Sequence, residues 1–252
     1  MIDLLKGLMR CTPLGPPARR LYRRFWPLTA DEKNARYDHE LVAVMARVLR
    51  SDSNCIDVGA HEGAILRAML AHAPAGDHVA VEPLPRLAEA LRARYPTVQV
   101  LEAAVSDRTG PVTFQHVITS PSYSGLQRRT YLRVNEVVET LTVAGARLDD
   151  LLPATRPIRL IKVDVEGGEL GVFRGAVQTI TRCRPFIAFE HGLGAADSYG
   201  TTPAAVYDLL VGQCGLQITL LARWLAGEGP FTRTDFVSAF ERRTDFFFLA
   251  YP

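Results

Sequence analysis

The sequence predicts an α/β fold with one open, mostly parallel sheet, helices on both faces and an antiparallel last strand. Three observations lead there. Asn54 to Gly63 (NCIDVGAHEG) reads as a buried strand and a tight glycine turn, and a helical pattern follows over Ala64 to Ala73. A second short apolar strand, HVAV, ends in Glu82, 25 positions beyond Asp57. Strand and helix patterns then alternate towards the C-terminus, where two strands close the chain with no helix expected between them.

The chain has 252 residues, 48% of them hydrophobic, which is enough to bury one sizeable core. The expected organisation is a basic helical arm or lid over residues 1–36 and a single domain over 37–252. A net charge of only +2 speaks against a nucleic-acid partner, which calls for a strongly basic face. The charge is uneven, however. Within residues 1–29, Lys6, Arg10, Arg19, Arg20, Arg23 and Arg24 face Asp3 alone, beside Tyr22, Phe25 and Trp26, a composition suited to a peripheral membrane or dimer contact. Cys11, Cys55, Cys183 and Cys214 form no CxxC pair, so a reduced, cytoplasmic protein is expected. The N-terminus lacks the apolar core of a signal peptide, and no run of about 18 apolar residues suggests a membrane span.

Asp31 to Arg50 places Leu41, Val44, Met45 and Val48 at helical spacing. After the opening strand, turn and helix, and the strand ending at Glu82, Arg86 to Tyr95 reads as a helix and Val98 to Val105 as a third strand. Val112 to His116 and Leu141 to Ala144 suggest a small antiparallel excursion around the polar loop Thr119 to Arg133, long enough to suggest binding. Ile158 to Val165 (IRLIKVDV) is nearly all aliphatic, as a central parallel strand should be. A helix follows over Leu170 to Thr181, then a strand over Phe186 to Glu190 and a helix over Pro203 to Gln213. Leu216 to Ala222 and Thr244 to Tyr251 are the closing strands. This is the plan of a Rossmann-like class I methyltransferase with a seven-stranded sheet.

The chemistry gathers at strand ends. A helix N-terminus behind a glycine turn brings backbone N–H groups close to a ligand, and an acid about 20 residues further on can accept from both hydroxyls of a ribose. Asp57 and Glu82 therefore point to a nucleotide-like cofactor. An NAD-dependent oxidoreductase shares this beginning, although GAHEG lacks the GxGxxG register. A non-catalytic docking module is a third reading. Asp164, Glu166, Glu190 and His191 stand at the mouth of the sheet as candidate catalytic groups. The histidines form no HxH or HxxxH pair and Asp164, Glu166 and Glu190 are a loose oxygen set, so no metal is expected.

The series CIDVGAHEG, HVAVEPLP, AAVSDRTG, IRLIKVDVEGGELGVFRGA and FFFLAYP resembles the FkbM-type methyltransferases over about Tyr37 to Tyr251. The resemblance implies S-adenosylmethionine as cofactor and methyl transfer to a hydroxyl of a sugar, glycan or secondary metabolite. It implies that Asp57, Gly59, Ala60, His61 and Gly63 line the amino acid part of the cofactor, with Glu82 and Pro83 at the ribose. It also places Ala104, Val105, Ser106 and Asp107 around the adenine and Asp164 near the methionine end. His61 stands where many relatives carry Asn.

Overall fold

The computed structural model of the protein describes residues 29–129, 135–192 and 194–252. The chain divides into two units, Met1–His39 and Glu40–Pro252, and the sheets lie in the second. Most of the arm, with the lid or membrane role expected of it, falls outside the described residues, as do residues 130–134 of the polar loop and its border. A helix over Ala30–Val48 opens with a reciprocal cap: the Glu32 amide donates to Thr29 Oγ1 at 3.2 Å and the Thr29 amide to Glu32 Oε2 at 3.0 Å. Leu41, Val44, Met45 and Val48 are buried, as their spacing predicts.

The strands in chain order are β1 (Cys55–Val58), β2 (Val79–Val81), β3 (Gln99–Leu101), β4 (Ala104–Val105), β5 (Gly110–Val117), β6 (Val138–Ala146), β7 (Leu160–Val163), β8 (Phe186–Glu190), β9 (Gln217–Leu220) and β10 (Phe247–Tyr251). Seven form one sheet in the order β3-β2-β1-β7-β8-β10-β9. Only β10 runs antiparallel, between β8 and β9. The order reverses between β1 and β7, where open α/β sheets leave a crevice at the carboxyl ends of their strands. Residues of β1, β2 and β7 are buried on both faces, which is why these strands read as continuous apolar runs. Alternate residues serve different layers: Ile56, Val58, Val79 and Val81 pack with Phe173 and Ile180, whereas Ala80 packs with Leu66 and Leu91.

Four expectations are corrected. The third strand is broken: β3 stays in the large sheet, while Ala104 and Val105 pair with Gly145 and Ala146 of β6. Glu102 marks the departure, paired with Arg92 at 3.3 Å on the surface, and Ala104 joins Leu84 and Phe114 in a separate cluster. The small sheet β4-β6-β5 otherwise holds the antiparallel pair that was expected. Second, the helix read over Leu170 to Thr181 is two, Glu169–Arg174 and Val177–Cys183, interrupted at Gly175. A Cβ on Gly175 would stand 2.1 Å from the Ser106 carbonyl oxygen, so the break lets the chain after β4 lie against the helix.

Third, β9 stops at Leu220 and a short helix, Leu221–Leu225, takes over. Fourth, a helix over Arg233–Glu241 lies between the last two strands, where none was expected. Thr232 and Asp235 cap it reciprocally, and its buried Phe236 and Phe240, one turn apart, face inward. Phe236 meets Phe248 of β10 edge-on at 4.8 Å, so the helix is held by aromatic packing that local pattern did not reveal.

Gly175→Ala is expected to lower the melting temperature by about 3–10 °C, because a methyl must fit where a carbonyl already sits. Gly212→Ala, with nothing within 4 Å in the turn Asp208–Gln213, should leave it unchanged or slightly higher. Thermal unfolding of both variants checks the contrast.

Candidate active site

The turn after β1 is built from backbone. The Gly59 and Ala60 amides donate to the Val81 carbonyl at 2.9 and 3.2 Å, and the Asp164 amide donates to the Val58 carbonyl at 3.1 Å. Gly59 has φ +77°, and a Cβ there would stand 1.9 Å from the Asp164 carbonyl oxygen. Only glycine lets the turn lie directly on the end of β7. His61 also takes a left-handed conformation, φ 48°. Its amide thereby donates to Glu82 Oε2 at 2.9 Å, while the Leu84 amide donates to Oε1 at 3.0 Å across Pro83. Each carboxylate oxygen retains capacity for a further hydrogen bond. Burial pushes Glu82 above the usual carboxylate range, and the two amides pull it back down.

Asp57 lies deeper. It is 1% exposed, and Lys162 Nζ stands 3.5 Å from its Oδ1 and 3.4 Å from Asp164 Oδ2. The same ammonium donates to the Gly59 carbonyl at 2.9 Å. Burial raises the Asp57 carboxyl against the pull of Lys162. For Lys162 itself burial acts downward, yet Asp164 and Asp57 outweigh it and the ammonium is held above its ordinary value. Sequence reasoning passed over Lys162, although a lysine inside an aliphatic central strand is a signal: a buried cation needs carboxylate partners.

Asp164, Glu166 and Glu190, scattered in sequence, come together, with one oxygen of each lying within 4.8 Å of the others. That spacing would suit a hard cation. Two protein cations already serve the group, because Arg129 pairs with Glu166 and Lys162 with Asp164. Arg129 lies over the Tyr123 ring at 5.2 Å, and the Tyr199 hydroxyl accepts from the Gln127 amide at 3.1 Å, so the polar loop after β5 packs beside the cluster. Burial, then Asp164 and Glu169, push the Glu190 carboxyl well above its ordinary range, with Arg129 opposing.

His191 does not join the cluster. It is fully buried, stacked on Phe240 at 4.7 Å and on Phe236 at 6.1 Å, because neighbours at a strand end point apart. Its Nδ1 is 4.0 Å from Glu169 Oε2. The other oxygen of Glu169 accepts from the Gly167 amide at 2.9 Å and the Val165 amide at 3.4 Å, fixing the loop that carries Glu166. Of the expected adenine residues, Ala104, Val105 and Ser106 are buried, and the Ser106 amide donates to the Ala146 carbonyl at 2.9 Å. Asp107 is exposed on the same loop. Arg129 was not singled out within the polar loop, and Glu169 stood only as the last acid of the run after Asp164 with no role assigned, since nothing local shows which partner either takes.

A lone antiparallel strand set between β8 and β9, with the order reversing at β1 and β7, is the sheet of a class I methyltransferase. The methyltransferase FkbM domain pattern matches residues 57–217, more than half of the chain, and the chain belongs to that family. The family and fold imply S-adenosylmethionine as methyl donor. A solved methyltransferase FkbM from Methylobacillus flagellatus KT is 16% identical with a TM-score of 0.50, over 81% of this chain and 44% of that one. The chain thus spans less than half the length of that protein. A TehB-like S-adenosylmethionine-dependent methyltransferase from Corynebacterium glutamicum is 14% identical, TM-score 0.43, over 94% and 97% of the two chains. No curated protein matches the chain.

The Glu190 shift carries a stability consequence. A carboxyl raised on folding contributes stability that is complete below its unfolded value, near 4.5, and is lost as pH rises through the folded value. Glu190→Gln keeps the neutral form at every pH. The melting temperature of this variant minus that of the wild type should therefore widen from pH 4.5 towards neutrality, read by thermal unfolding across that range. A constant difference would mean that Glu190 titrates normally.

Proposed function

We propose that the protein moves a methyl group from S-adenosylmethionine to a hydroxyl of a small molecule or glycan. The observation that carries this reading is Glu82, a carboxylate held by the His61 and Leu84 amides at the rim of the Gly59 to Gly63 turn. Fixed in this way, it can accept from a ribose diol without first being ordered. When bound, the cofactor supplies an electrophilic methyl carbon. The residues of the chain supply the seat, the alignment and the base.

An alcohol is a weak nucleophile until its proton is taken. Asp164 lies beside Glu190, whose own carboxyl is pushed up by burial and by Asp164, and it is paired with Lys162, so Asp164 is the group placed to accept the hydroxyl proton. Glu166, tied to Arg129, shapes the acceptor side. Arg129 and Lys162 already pair with Glu166 and Asp164, so the reading is drawn without a metal ion. The methyltransferase family takes the place of the oxidoreductase that the shared first turn had left open. Cys55, Cys183 and Cys214 are free thiols among the described residues, which favours a cytoplasmic setting. No described helix is long and apolar enough to cross a membrane.

Calorimetric titration with S-adenosylmethionine should show binding that Glu82→Ala weakens by roughly 10- to 100-fold. Absence of binding to folded wild type would overturn the reading. Transfer of labelled methyl to a panel of hydroxylated sugars and phenols should fall about 100-fold or more in Asp164→Asn. The same transfer should be indifferent to EDTA, and loss of turnover on chelation would restore a cation to the Asp164, Glu166 and Glu190 group.

A further inference from the structure

Lys162 sits in β7, in the middle of the large sheet, and is 6% exposed. A bare ammonium in that position would be strongly unfavourable, so its surroundings have to be built for it. They are. In the parallel register Lys162 lies directly across from Asp57 of β1. Its Nζ reaches three segments at once: Asp57 Oδ1 at 3.5 Å, Asp164 Oδ2 at 3.4 Å and the Gly59 carbonyl at 2.9 Å. Glu82 lies in the same field: burial raises its carboxyl, and Lys162 adds to the amides that oppose this. One cation thus contacts the acid below the turn, the turn itself and the carboxylate at the acceptor side.

The backbone already joins β1 to the end of β7, through the Asp164 amide to the Val58 carbonyl at 3.1 Å, and the ammonium adds the link to the side chains. The turn and the end of β7 touch through Gly59 and the Asp164 carbonyl, with no room for a side chain between them. Without the ammonium, Asp57 and Asp164 would repel one another and the Gly59 carbonyl would lose its donor. We infer that Lys162 is a positioning residue for methyl transfer, whose ammonium couples the turn that seats the donor to the carboxylate that faces the acceptor. This rests on the function proposed above. It adds that donor affinity depends on a side chain buried in the sheet that acts through Gly59 and Asp164.

The test is calorimetric titration of the full chain with S-adenosylmethionine and with S-adenosylhomocysteine, alongside thermal unfolding. K162M should bind both at least about tenfold more weakly at a temperature where it is fully folded, and K162R, which keeps the charge in a different shape, should recover part of the loss. D164N added to K162M should cost less than about twofold further, because the two changes break the same link. A merely structural lysine would lower the melting temperature and leave the affinity of the folded protein unchanged, which would overturn the inference. A full additional loss from D164N in the K162M background would overturn the coupling to Asp164. Should K162M not fold, K162M/D57N removes the cation together with its buried partner, and equal affinity in this variant and D57N would count against Lys162. If wild type binds neither compound, the proposed function fails and the role of Lys162 falls with it, whereas binding by wild type with equal affinity in folded K162M overturns the role of Lys162 alone.

Discussion

The mouth of the sheet depends on one close backbone contact, where the Gly59 turn lies on the Asp164 carbonyl with space only for a hydrogen. This contact closes the crevice between β1 and β7, the two strands at which the sheet order reverses. With the backbones so near, the side chains of both strands share one small volume. Asp57, Lys162 and Asp164 meet there, and the ammonium between the two carboxylates lets all three be buried or half-buried together.

The same economy of space recurs at Gly175. The chain leaving β4 presses its Ser106 carbonyl onto the helix break, and the small sheet β4-β6-β5 is thereby fixed beside the large one. The polar loop that grows from the small sheet brings Arg129 to Glu166 and Gln127 to Tyr199. One face of the crevice is therefore made of strand ends and glycine turns, and the other of a loop carrying charge and aromatic rings. Glu169 joins the two in a different way. One of its oxygens fastens the loop of Glu166 and the other faces His191 in an aromatic niche. Of the carboxylates at the mouth, Glu82 is held by backbone amides and Asp164 and Glu166 by cations.

Much of this was legible in the chain. The strand, turn and helix around Asn54 to Gly63, the strand ending at Glu82 and the aliphatic run before Asp164 all appear where expected, because each is specified by its own neighbours. What the pattern misplaced depended on distant partners. Val98 to Val105 carries no breaker, yet its second half pairs with β6 because that strand passes alongside. The helix before β10 was missed although Thr232 and Asp235 formed a capping pair, since its buried phenylalanines find their partners in distant segments, Phe236 on Tyr207, Phe189 and Phe248, and Phe240 on His191. The helix after Glu169 was read too long because the break at Gly175 answers to a carbonyl some 70 positions earlier in the chain.

The sequence by itself determined the α/β plan, the glycine turn, the acid at Glu82 and the family, since these reside in local periodicity, in spacing and in residues whose conformation is set by their own φ. The tertiary structure decided which carboxylates share a site, that His191 stands back from it, and that Lys162 stands beneath it. Those are long-range electrostatic relations. A charge has no preferred partner along the chain, and only when the strands lie side by side does burial fix which carboxylate each cation must face.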